Sequence, residues 1–292
     1  MTNLCNIDGR ISPEASASVS VLDRGFLFGD SVYEVLRTHH GKLLAMDLHL
    51  KRLHASAERI ALELPLDDAK LEARIRETVA AADNTESYVR IIVTRGTVSR
   101  PDIDPDCTMT PPTVILLVRA LPELDPALLE RGYRAWLVAT RRNDRRSLDP
   151  AIKSGNYLNN ILGLMEAKKH GAQIAIFLNP AGQLSEAQTA NVWIVRGTRI
   201  ETPFLSAGIL PGITRALLLE IAQRDGLDLH EAELGEADLR AADEVFVSST
   251  IRDVAPITSL DGAPIGDGKP GPVTMDLRRR LLAYCDSLVD AN

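Results

Sequence analysis

Ala151-Ile152-Lys153-Ser154-Gly155-Asn156-Tyr157-Leu158-Asn159-Asn160 sets a lysine just ahead of a helix, among small and apolar neighbours. Taken alone, that is a surface lysine at a turn. Two other stretches change its meaning. Leu210-Pro211-Gly212-Ile213-Thr214-Arg215 opens a second helix. A proline near the first turn, a glycine that permits close approach, and first-turn N–H groups beside a hydroxyl make a cradle for an anion. Leu184-Ser185-Glu186-Ala187 puts an acid in a turn between two apolar strands. An amine, an anion cradle and a carboxylate are together the parts of a pyridoxal phosphate site. The lysine forms a Schiff base, the helix terminus takes the phosphate, and the acid keeps the pyridine nitrogen protonated.

Outward from Lys153 the chain alternates strands and helices. Helices are expected over 49–62, with Asp47 as N-cap, and over 67–82, 156–170, 213–224 and 272–282. Leu43 to Met46 is a short apolar run, and strands are expected over 88–94, 113–118, 134–139, 173–178, 191–195 and 244–247. Leu121-Pro-Glu-Leu-Asp-Pro126 breaks the pattern. The expected organisation is therefore a smaller α/β domain over 1–121, a linker over 122–131 and a larger cofactor-binding domain over 132–292. Short strands joined by β-turns predict mixed sheets (an α/β to α+β class) rather than one doubly wound parallel sheet.

Composition removes several function classes. The 292 residues are 45% hydrophobic and 25% charged, enough to bury a core without metals or disulfides. A net charge of −7 argues against a nucleic-acid binder, and no apolar run is long enough to span a membrane. Cys5, Cys107 and Cys285 are odd in number and lack CxxC spacing. With no basic-then-apolar leader at the start, a reducing, cytoplasmic location is expected. The six histidines form no HxxxH or HExxH pair, so no metal is expected. Gly266 to Gly271 spells GxGxxG, but in a Pro- and Asp-rich turn without a βαβ unit around it. The basic run Arg141-Arg-Asn-Asp-Arg-Arg146 reads as a solvated loop.

Seven stretches in one order carry a resemblance: DRGFLFGDSVYEVLR, HLKRLHASAERI, YVRIIVTRG, IKSGNYLNNILG, LSEAQTANVWIV, ILPGITR and DEVFVSST. Together, over about Asp23 to Arg280, they resemble the class IV aminotransferases, pyridoxal phosphate enzymes of fold type IV. The resemblance implies a two-domain fold with the active site between the domains, and a homodimer in which the second subunit contributes a loop. It implies Lys153 as the Schiff-base lysine and catalytic base. Arg52, Ile213, Thr214 and Thr250 would bind the phosphate, and Tyr157 the phenolic oxygen. Glu186 would pair with the pyridine nitrogen, and Leu210 would pack on the ring. The substrate side would be Tyr33, Arg37, Tyr88, Arg90, Arg100 and Ile251.

Within that class the motifs divide. Tyr88-Val-Arg90, Pro203-Phe-Leu205 and Gly268-Lys-Pro-Gly-Pro-Val-Thr274 resemble the branched-chain L-amino-acid enzymes, which use 2-oxoglutarate. Asp30-Ser-Val-Tyr33-Glu-Val35 and Arg100 resemble the D-amino-acid branch, although Asp102 replaces the histidine usual there. Branched-chain L-amino acids are the first expectation and D-amino acids such as D-alanine the second. Aminodeoxychorismate lyase chemistry, with the same lysine and cofactor, is the third. The expected partners are amino acids and 2-oxo acids, with no nucleic acid and no membrane. From other classes, a pyridoxal phosphate-binding protein without turnover and an interaction module built on Arg141–Arg146 remain as weaker alternatives.

Overall fold

The computed structural model describes residues 2–290. They form two compact units. The first comprises residues up to 122 with the segments 152–156 and 288–290. The second comprises 123–151 and 157–287. The expected linker, 122–131, is not an open connection. Asp125 caps a short helix there, with Pro126 at its first turn.

The first unit contains β1 (Leu4–Ile7), β2 (Arg10–Pro13), α1 (Arg24–Phe28), β3 (Ser31–His39), β4 (Lys42–Leu43), α2 (Met46–Arg59), α3 (Asp68–Ala82), β5 (Ser87–Thr94) and β6 (Thr113–Ala120). Its antiparallel sheet runs β2-β1-β6-β5-β3-β4. Val32, Leu36, Val89, Ile91, Val93, Leu116 and Val118 form one apolar face, covered by Leu50, Leu53 and Ala57 of α2 and Leu71 and Ile75 of α3. Asp47 lies in the first turn of α2 instead of capping it. The cap is Ala45, in the left-handed region at φ 49°, and Asp47 meets the helix dipole two residues later.

The second unit contains α4 (Pro126–Arg131), β7 (Tyr133–Leu137), α5 (Leu158–Lys169), β8 (Ile174–Leu178), β9 (Leu184–Ala187), β10 (Ala190–Arg196), β11 (Arg199–Pro203), α6 (Ile213–Asp225), β12 (Leu229–Ala232), α7 (Glu236–Arg240), β13 (Glu244–Ser249), β14 (Asp253–Leu260) and β15 (Ala263–Pro264). It also holds most of α8 (Pro272–Asp290). The sheet order is β12-β11-β10-β13-β14-β7-β8-β9, and β9 also pairs with β10. Six strands therefore close on themselves. The sheet is mixed, because β7 runs parallel to both β14 and β8. Val192, Ile194, Val245, Val247, Ala255, Ile176 and Leu184 belong to one buried cluster. Ala175 and Phe177 instead pack with Ala167 of α5.

Candidate active site

In the first unit the site begins with strand register. Tyr33 faces Ile92, Val35 faces Arg90, and Arg37 faces Tyr88. Side chains alternate along a strand, so these six share the face opposite the one that α2 covers. The segment 152–156 attaches beside them. Tyr33 N–H donates to Lys153 O at 2.9 Å, Gly155 N–H to Ser31 O at 3.0 Å, and Ser154 bridges Val32. The Lys153 N–H donates to Ser56 Oγ on α2. These bonds explain why the Lys153 segment belongs to the first unit, although the expected domain boundary put it in the second. Lys153 is buried, and its Nζ lies 4.6 Å from the centroid of the Tyr33 ring. The Arg90 guanidinium lies 4.0 Å from the same centroid. Both distances are inside cation–π range.

On the opposite face, Glu34 is fully buried. Its carboxylate accepts from Arg52 Nε at 2.7 Å and Nη2 at 2.8 Å, a bidentate charged pair. His49 Nδ1 meets it at 2.7 Å. Burial pushes the Glu34 carboxyl up, but the charge and hydrogen bonds of Arg52 and the bond from His49 outweigh it, leaving the value at about 2. Burial holds His49 below its ordinary value against the pull of Glu34. A neutral imidazole can reach a carboxylate only through a protonated nitrogen, so Nδ1 bears the hydrogen. Glu34 thus fixes the orientation of Arg52, the arginine expected to bind a phosphate.

In the second unit Glu186 is not in a turn. It lies in β9, buried, beside Asn191 of β10, and Asn191 in turn faces Ser248 of β13. The turn is displaced to residues 188–189 because β9 pairs on both edges. Glu186 Oε1 accepts from Arg142 Nε at 2.9 Å and Oε2 from the Leu210 N–H at 2.8 Å. Asn191 Nδ2 donates to Leu210 O at 2.9 Å. The acid is therefore tied to the segment that opens α6. That helix starts at Gly212 with no side-chain cap, its first turn holding Ile213 and Thr214. A Cβ on Gly212 would lie 2.0 Å from Asn191 Oδ1, so only glycine admits this approach. An uncapped first turn of a 13-residue helix suits a phosphate. In the second unit, this helix start and the buried carboxylate beside it are groups that suit the phosphate and the pyridine nitrogen of pyridoxal phosphate; the first unit, by itself, holds a buried lysine amine of the type that binds its aldehyde.

Arg142 was hidden in the sequence. Its run, expected to be a solvated loop, does expose Arg141, Arg145 and Arg146. Arg142 turns inward to Glu186 and is 7% exposed. Four basic residues in a turn gave no signal that one of them would be buried.

The remaining expected residues lie as follows. Tyr157 is the N-cap of α5. Thr250 and Ile251 form the turn between β13 and β14. Trp193 Nε1 donates to Ser248 Oγ two residues before Thr250, which fixes that end of β13. Arg100 lies in the loop between β5 and β6. Its side chain is 72% exposed and pairs with Asp102 at 3.4 Å. The loop around it is held from below by buried Arg24, which donates to the carbonyls of Asp102, Ile103 and Asp104.

Comparison with known proteins agrees with this chemistry. The family model described as amino-transferase class IV matches residues 31–260. A putative branched-chain-amino-acid aminotransferase of Methanocaldococcus jannaschii is 33% identical over 276 residues, covering 94% of each chain. A D-alanine aminotransferase of Listeria innocua is 36% identical over 272 residues, covering 93% of this chain and 92% of its own. The solved T.th. branched-chain amino acid aminotransferase with pyridoxamine 5'-phosphate superposes with a TM-score of 0.91 at 28% identity. That match covers 98% of this chain and 95% of the other. No helix among the described residues is long and apolar enough to cross a membrane, and no disulfide joins the three cysteines.

Proposed function

The chain belongs to the class IV aminotransferases, which use pyridoxal phosphate, and from that membership we propose that it moves amino groups from branched-chain L-amino acids to 2-oxoglutarate. The observation that carries the choice of substrate is Arg90. Its guanidinium lies against the Tyr33 ring that the Lys153 amine also approaches. A substrate reacting at Lys153 can extend a second carboxylate to Arg90, as glutamate and 2-oxoglutarate require. Val35 and Ile92 on the same face offer apolar contact for a branched side chain.

Bound pyridoxal phosphate supplies the electron sink that acidifies the substrate α-hydrogen. The chain's own residues do the rest. Lys153 Nζ would hold the cofactor and, once displaced by the substrate's amino group, its freed amine would serve as the base that takes the α-proton and later gives it back. Glu186 holds a proton on the pyridine nitrogen. Arg52, the N–H groups of Ile213 and Thr214, and the hydroxyls of Thr214 and Thr250 hold the phosphate. Tyr157 donates to the phenolic oxygen, and Leu210 packs against the ring. Tyr33, Arg37, Tyr88, Arg90, Arg100 and Ile251 form the substrate side. Two half-reactions alternate, so the kinetics are ping-pong.

The proposal includes a cytoplasmic homodimer. Leu158, Ile161, Leu162 and Met165 are exposed apolar residues at i, i+3, i+4 and i+7 on α5. Such a stripe on a helix calls for a covering surface, and a second copy supplies one.

D-amino-acid transamination is the second reading, favoured by the 36% identity to a D-alanine aminotransferase. Mixing the cofactor-loaded enzyme with single amino acids separates the two without a coupled assay. L-leucine, L-valine and L-isoleucine should bleach the visible cofactor band rapidly and D-alanine slowly. Rapid bleaching by D-alanine with none by L-leucine would replace the first reading by the second.

A further inference from the structure

Glu186 shares its carboxylate with a cation that is held from both ends. Arg142 Nε donates to Glu186 Oε1 at 2.9 Å, and its Nη1 donates to Asn159 Oδ1 at 2.9 Å and Asn160 Oδ1 at 3.2 Å. Both amides are themselves anchored. Asn159 Nδ2 donates to Arg141 O and Asn160 Nδ2 to Gln188 O, each at 2.8 Å. Arg142 and Glu186 are both buried. Desolvating two charges consumes much of what their attraction returns, so such a pair is a weak device for stability alone. Its geometry suits another purpose. The two asparagines are neutral, so they aim the guanidinium at Glu186 without cancelling its charge.

We propose that Arg142 is a positioning residue that fixes the proton shared by Glu186 and the cofactor on the ring nitrogen. The inference rests on the reading of Glu186 as the partner of that nitrogen. A proton between a carboxylate and a pyridine can reside on either. A cation touching the carboxylate stabilises its anionic form directly. A ring nitrogen beyond the carboxylate is farther from the guanidinium, and its positive charge is repelled less, because Coulomb energy falls with distance. The Leu210 N–H on Oε2 acts in the same sense. Both favour the proton on nitrogen, the form in which the ring withdraws electrons. Arg142 therefore acts through Glu186 and touches neither substrate nor reacting atoms.

The test reads the proton itself, in full-length enzyme loaded with pyridoxal phosphate labelled with 15N in the ring. In the parent enzyme the ring signal should lie at the protonated position. Arg142→Gln keeps hydrogen-bonding groups but removes the charge, and should move the signal towards the unprotonated position. Arg142→Lys should return it. Asn159→Asp is isosteric and sets an anion against Nη1. It should move the signal in the same direction as Arg142→Gln, and it serves where that variant fails to fold. Glu186→Gln tests the underlying reading and should move the signal fully. A signal that moves in Glu186→Gln but stays at the parent position in Arg142→Gln and Asn159→Asp overturns the proposal and leaves the reading of Glu186 intact. A signal unmoved by Glu186→Gln overturns that reading, and the proposal with it.

Discussion

Glu34→Gln removes the carboxylate that Arg52 and His49 share, and its cost can be worked from the structure. Glu34 is fully buried, and burial alone would raise its pKa. The Arg52 charge, the Arg52 hydrogen bonds and the His49 bond reverse that and bring it from 4.5 to about 2. At about 1.4 kcal/mol per pKa unit, the lowering is worth about 3 kcal/mol. Removing one partner of a buried pair costs about 3–5 kcal/mol by general experience, which agrees. The sign follows from linkage: the folded value lies below the unfolded one. The contribution is therefore complete above about pH 4.5 and is lost as pH falls through about 2. Urea unfolding of parent and variant, both saturated with cofactor, should show a gap of about 3 kcal/mol at neutral pH that narrows below about pH 4.5. A gap below about 1 kcal/mol at neutral pH, or one that stays constant into acid, would refute the reasoning.

Three further outcomes follow from particular contacts. Gly163→Ala should destabilise by about 1–3 kcal/mol although alanine is the better helix former, because the new Cβ would lie 2.2 Å from Phe177 Cζ in a fully buried ring; a stabilised variant in thermal unfolding would show that α5 can shift. His49 is held below its ordinary 6.5 by burial, so the unfolded chain takes up the proton first and stability falls as pH drops below about 6.5. His49→Gln should flatten that part of the profile, and an unchanged slope would assign it elsewhere. Arg52→Ala should lower both cofactor affinity and the urea midpoint, since it strips Glu34 of its charged partner, whereas Thr214→Ala should lower affinity alone and by less; cofactor titration of the two apo-variants, with equal and negligible losses, would place the phosphate elsewhere.

The parts of the fold legible in the sequence were those with a single clean period. The helix ending at Ala82 and the strand ending at Thr94 lie where their spacing predicted. β3 showed no alternation because seven of its nine residues are buried, on both faces of the strand. β14 (Asp253–Leu260) was not among the expected strands, and it carries Asp253 and Pro256, residue types depleted in strands. Asp253 adopts φ 55°, and Pro256 stands opposite Phe246 in the ladder. The site divided in the same way. The roles expected of Lys153, Glu186 and the Pro211-Gly212 helix start came from residue type and order, and the structure shows the first two buried and that helix start without a side-chain cap. Arg142 did not, because burial of one arginine among four depends on where β9 and α5 bring Glu186, Asn159 and Asn160, which are distant in sequence.

The measurement closest to the central claim is the identity of the lysine that carries the cofactor. The loaded enzyme is reduced with borohydride, digested and mapped by mass. The account predicts the pyridoxyl group on the peptide containing Lys153, the buried lysine beside the Tyr33 ring, and its absence from Lys153→Ala along with transamination. A label on Lys168 or Lys169, in the last turn of α5, or undiminished transamination by Lys153→Ala, would contradict it.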